Sequence, residues 1–168
     1  KASRPPRAIR LQIVHRGLPA GIQNSIGAFA NVVVQSNINT FGEMAMAGFG
    51  AYSKIEGFGF LPITSFTMAL TTFVSQNLGA RQYDRVKKGT RFGILTIVLL
   101  AELIGLLVFI LAPQLISAFD STPAVVEFGI LKSRTAAPFF FLVACTHSFA
   151  AILRGAGKTV VSMVVLLS

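Results

Sequence analysis

From Gly57 to Val74 the chain carries no charged residue, and that silence ends at Arg81, Arg85, Lys87, Lys88 and Arg91. A second apolar run, Phe92 to Phe119, follows at once with Glu102 as its one internal charge. Uncharged runs of this length suit the hydrocarbon core of a bilayer, and Lys and Arg are retained on the cytoplasmic side. The pattern predicts two membrane-crossing helices joined by a basic cytoplasmic turn. Composition agrees: 53% of residues are hydrophobic and 12% charged, with mean hydropathy +0.69, against about 25% charged in soluble domains. The net charge of +9 does not point to nucleic acid. Its basic residues lie in positions 1–16, in the 81–91 cluster and near the ends of apolar runs, rather than along a solvated face. Cys145 is the single cysteine, so no internal disulfide forms.

The same reading extended along the chain gives an all-α, polytopic transmembrane bundle. Residues 1–16 are expected to be a basic cytoplasmic linker, and 17–168 to be membrane-embedded. Four full spans are expected at about 18–40, 51–77, 92–119 and 124–153, with a truncated fifth at 159–168. The second span is expected to kink or loosen near Gly57, Gly59 and Pro62. Basic ends at 1–16, 81–91 and 154–158 alternate with basic-poor ends at 41–50 and 118–126, which predicts a cytoplasmic N-terminus in the cell membrane. The last apolar run is too short to cross, and both ends read as those of a fragment of a longer membrane protein.

The candidate functional residues are the polar ones at membrane depth. On the first span Asn24, Asn31, Gln35 and Asn39 fall on one stripe, opposite Ile22, Ile26, Phe29 and Val33, as expected at 100° per residue. Such amides either line a cavity or hydrogen-bond to neighbouring helices. The second span groups Tyr52, Glu56, Thr64, Thr67 and Thr71 on one half of its circumference. Glu56, two positions from Lys54, is either a cavity carboxylate or an interfacial residue. Glu102 needs a partner at mid-membrane, and Arg134 or Lys132 on the fourth span is expected to supply it as a structural ion pair, with a role in gating or ion coupling as the alternative. His147 is read as a hydrogen-bonding residue, with proton relay as the alternative. No phosphate-loop spacing and no metal-ligand spacing occurs, so neither a metal nor an organic cofactor is expected.

Several runs carry a family resemblance. GLPAGIQNSIGAFANVVVQSNINTFG, AYSKIEGFGFLPITSF, TTFVSQNLGARQYDRVKKG, APFFF and ILRGAGKT, taken in order, resemble the second six-helix half of a bacterial multidrug and toxic compound extrusion (MATE) transporter. The resemblance implies that the four spans correspond to the seventh to tenth of twelve helices. It further implies an antiporter that exports drugs, organic cations or other amphiphiles in exchange for protons or sodium ions by alternating access. Its partners would be small-molecule substrates, the lipid bilayer and the missing N-terminal half, with no nucleic acid and no enzymatic chemistry. In the family, ion coupling is attributed to acids in the first helix and, in some members, the seventh and tenth. Here the first span has no acid and the fourth has only Glu127 near its outer end. The residues present would therefore shape the cavity rather than couple the ion. The rival readings are a lipid-linked oligosaccharide flippase of related fold, which would show a more cationic cavity, and a non-transporting membrane subunit.

Overall fold

The computed structural model describes residues 7–167, and every regular element in that range is helical. The elements are α1 (Arg7–Asn39), α2 (Glu43–Gly79), α3 (Tyr83–Ser117), α4 (Pro123–Ala136), a single 3-10 turn (Ala137–Phe139), α5 (Phe140–Gly155) and α6 (Thr159–Leu167). Three helical stretches are long and apolar enough to cross a bilayer: α2, α3, and α4 through α5. At 33 residues α1 has the length, but its amides and glycines dilute its apolar character. The fifth stretch is the short α6, with Ser168 outside the described residues.

The helices run further than the sequence pattern suggested. Of the expected linker 1–16, residues from Arg7 onward are already helical, and 1–6 lie outside the described residues. The expected loop 41–50 shrinks to the turn at Thr40–Gly42, where Gly42 takes φ +94°. The basic stretch 81–91 is not a loop either: the turn is Ala80–Gln82, and Arg85, Lys87, Lys88 and Arg91 ride the first turns of α3. Long basic side chains are good helix formers, and Asp84 in the first turn suits the positive end of the helix dipole. The turn itself places Arg81 at φ +56° while the Arg81 and Gln82 amides donate to Leu78 O and Asn77 O. Pro62 does not interrupt α2, which is assigned as one helix through it.

Packing centres on α2, which touches α3, α4 and α5, while α1 lies against α6 and α2. On α3 the buried residues Ile97, Ala101, Gly105, Val108, Ala112 and Ile116 recur at helical spacing. Leu95, Leu99, Leu103, Leu106 and Ile110 are exposed. Exposed leucines of this kind suit lipid, whose tails are as apolar as the side chains, so helix association depends on close packing instead. Small residues provide it. A Cβ on Gly155 would meet Thr71 O at 2.7 Å, and one on Gly105 would meet Ala137 O at 2.9 Å.

Pro138 breaks the path from α4 to α5. Proline has no amide hydrogen and its ring crowds the carbonyl four residues back, so the helix tightens into the 3-10 turn and the Phe140 amide donates to Ala137 O. With the Ala137 carbonyl taken by Phe140, the Phe141 amide lies in the first turn of α5, where a helix leaves its amides without intrahelical acceptors. It donates instead across to Glu102 Oε1 on α3 at 3.0 Å. The partner expected for Glu102, Arg134 or Lys132, is not the one it has: the Arg134 guanidinium lies 5.6 Å over the Phe109 ring, and the Lys132 ammonium 5.4 Å over Phe49. The carboxylate is drawn to an unsatisfied amide, because at membrane depth water does not compete for it.

Two outcomes follow for the stability of the protein in detergent. Gly155→Leu forces α5 away from α2, with a loss of about 1–3 kcal/mol typical of overpacking, whereas Gly50→Ala, inside α2 with open space at its Cβ, does not lower the unfolding temperature and gains up to about 1 kcal/mol from helix propensity. Glu102→Leu orphans the Phe141 amide at a cost of about 1–3 kcal/mol and speeds hydrogen exchange at that amide. Glu102→Gln keeps an acceptor oxygen and retains most of the protection.

Candidate cavity between α1 and α2

The polar residues of α2 divide by the helix face they occupy. Thr67 is buried and its hydroxyl donates to Thr64 O at 2.8 Å. Thr71 donates to Thr67 O at 2.9 Å and to Ala151 O on α5 at 3.2 Å. These hydroxyls are absorbed by backbone carbonyls, that of Thr67 on its own helix and that of Thr71 also on α5, and the buried Thr67 is not among the residues that line the cavity for which it was a candidate. Thr64 is exposed and donates to Leu61 O.

One face of α2 carries Phe49, Ser53 and Glu56 at intervals of four and three residues, the spacing of neighbours on a helix. Facing them, α1 contributes Asn31, Val34 and Gln35, and the six residues line a cavity of about 330 Å³. Glu56 is half-buried there, and Tyr52, 1% exposed one turn back, donates its hydroxyl to Glu56 Oε1 at 3.1 Å. Tyr52 thus stands behind the cavity and orients its carboxylate. The chemistry on offer is one anionic acceptor, two side-chain amides able to donate or accept, one hydroxyl and one aromatic ring. That set binds an organic molecule without bonding to it covalently.

Of the residues proposed from sequence, Asn31, Gln35 and Glu56 come together here. Asn24 and Asn39 are exposed on α1 and lie outside the lining. His147 is half-buried on α5, with Nδ1 2.9 Å from Val143 O and its ring 6.4 Å from that of Phe60. This is the local hydrogen bond of a satisfied histidine, and the ring sits against the core rather than the cavity. Phe49 escaped the sequence reading because 41–50 was taken as a loop, and Ser53, inside the expected span, was not grouped with the polar residues of that helix. The signal was present: Phe49, Ser53 and Glu56 form a helical stripe once α2 begins at Glu43. No group of three or more His, Cys, Asp or Glu side chains is arranged to hold a metal among the described residues.

Beside this cavity lies a second one of about 280 Å³, lined mainly by Ile38, Phe41, Phe49, Phe128, Leu131 and Lys132. Phe49 is common to both. The Lys132 ammonium lies 5.4 Å from the Phe49 ring centre and 5.9 Å from that of Tyr52, within the range of cation–π attraction.

Comparison with known proteins gives this arrangement a family. The MatE family model matches residues 19–168. The probable multidrug resistance protein NorM of Thermotoga maritima is 25% identical over 162 residues, which cover 96% of this chain and 35% of that protein. The FAD transporter of Shewanella oneidensis is 29% identical over 121 residues, 72% of this chain and 27% of its own length. The probable multidrug resistance protein YoeA of Bacillus subtilis is 26% identical over 107 residues, 64% of this chain and 23% of its own. The chain therefore spans between 23% and 35% of the length of these relatives. With a family match that runs from Pro19 to the last residue, on a bundle of long apolar helices, the chain belongs to the MATE family of multi-pass membrane transporters, which are not enzymes.

Proposed function

We propose that this chain is part of the C-terminal half of a cation-coupled antiporter that exports amphiphilic organic compounds, and that the cavity between α1 and α2 is part of its substrate path. The observation that carries the reading is the cluster of Asn31, Gln35, Ser53 and Glu56 around one cavity in a bundle whose outer faces are apolar. Polar side chains at membrane depth are costly unless paired or hydrated, so a cluster that lines open space marks a site rather than packing. Loose binding through amides and one carboxylate suits a transporter that must release what it binds. Rocking of this half against an N-terminal half, in the manner of repeat-built transporters, would open the cavity to either side. The alternation of basic and basic-poor helix ends supports an orientation with the 81–91 and 154–158 ends in the cytoplasm of a cell-membrane protein.

The coupling ion is a proton or sodium, carried chiefly by acids outside this chain. Among the charged groups described here, Glu56 is the one that lines the cavity. The flippase reading calls for a cationic cavity. Here Arg134 is turned to Phe109 on α3, and Lys132 is the one cation of the adjoining pocket.

The test is dye efflux from everted vesicles that contain the complete transporter, energised separately by proton and sodium gradients. Glu56→Gln and Gln35→Leu are expected to lower export of a cationic dye by about tenfold or more, the effect of removing one charged or strong hydrogen-bonding contact, with normal protein levels. Asn39→Leu, outside the lining, leaves export unchanged. Unaltered export by both cavity variants rules out this cavity as the substrate path.

A further inference from the structure

Lys132 is the unused charge of this region. It is exposed on α4, it is the single charged residue lining the apolar pocket, and its described contacts are the Phe49 and Tyr52 rings, with no carboxylate among them. Two aromatic faces compensate an ammonium only in part, and a cation in a membrane span ordinarily finds an anionic partner. At the hydroxyl of Tyr52 the balance is reversed: it donates to Glu56, which faces the polar cavity. The ammonium and the carboxylate are thus one tyrosine ring apart, and Phe49 forms a wall of both cavities.

On the reading of the polar cavity as the substrate path, we propose that the two cavities are halves of one binding site for amphoteric aromatic compounds. The basic group of the ligand lies at Glu56, its aromatic body lies along Phe49, and its carboxylate or sulfonate pairs with Lys132. The second pocket has an apolar lining of Phe41, Phe128 and Leu131, and the aromatic body of the ligand laid over it lowers the local dielectric and strengthens that pair. Lys132 is then a specificity residue: it selects zwitterions over simple cations that engage the Glu56 side alone. A lysine that only reached for the interface would make no such distinction.

Rhodamine B and its ethyl ester share one cationic xanthene and differ in whether the carboxylate is free, which isolates the contribution of Lys132. In everted vesicles with the complete transporter, Lys132→Gln is expected to reduce export of rhodamine B by about tenfold, the worth of one charge-assisted contact. Export of the ethyl ester stays within about twofold, a difference of less than half a kcal/mol. Lys132→Arg, which preserves the charge, retains export of both. Equal export of rhodamine B by wild type and Lys132→Gln, parallel loss of both dyes in Lys132→Gln, or wild-type export of the ester alone overturns the amphoteric site while transport itself stands. Failure of the wild type to export either dye overturns both readings.

Discussion

In hydrocarbon no water waits to take up a backbone amide, so each one must find its acceptor within the protein. The course of this chain follows that constraint. Long helices satisfy their own amides, and the one internal break, at Pro138, is tolerated because Glu102 reaches across from α3 to the freed Phe141 amide. Side-chain hydroxyls obey the same rule. Ser133 and Ser148 are fully buried and donate to carbonyls one turn back on their own helices, at 2.8 and 2.7 Å. Ser162 on α6 donates to Ala150 O on α5 at 3.0 Å. No buried side-chain polar atom among the described residues lacks a partner.

That economy separates polar residues that hold the bundle from those left for function. Close approach comes from glycine. At Gly48 an added Cβ would meet Val125 O at 2.7 Å, so α4 seats directly on α2. With α3, α4 and α5 gathered on α2, the Thr71 hydroxyl is consumed in the contact with α5 and that of the buried Thr67 on its own helix. The face bearing Phe49, Ser53 and Glu56 is turned towards α1. There the amides of Asn31 and Gln35 meet a carboxylate already bonded to Tyr52, in a space that no neighbouring helix fills. Packing thus determines which polar stripe can meet a ligand.

Much of this was legible in the linear pattern. The uncharged run ending at the basic cluster marked α2, and the runs that resemble MATE sequences agree with the family match over residues 19–168. Asn31, Gln35 and Glu56 were visible as polar residues at membrane depth. Helix ends were less legible. Gly48 and Gly50 resemble loop residues in sequence, yet Gly48 lies within α2 because its missing side chain admits α4. That misreading hid Phe49. The 81–91 cluster looked like a turn because charge density was read as exposure, whereas exposure at the membrane surface is compatible with a continued helix.

The sequence by itself determined the class of the molecule. Hydropathy and charge depend only on composition and order, and they suffice to specify apolar helices long enough for a bilayer and to group their polar residues by face. Only the tertiary structure decided the partners. Glu102 accepts from a backbone amide 39 positions away rather than from Arg134 or Lys132, because a proline break frees an amide beside it. Glu56 and Gln35 share a cavity while Thr67 does not, because glycine-mediated contacts turn one face of α2 inward and leave the other open. Periodicity places residues on a face, but it is the neighbouring helix that makes that face core or cavity.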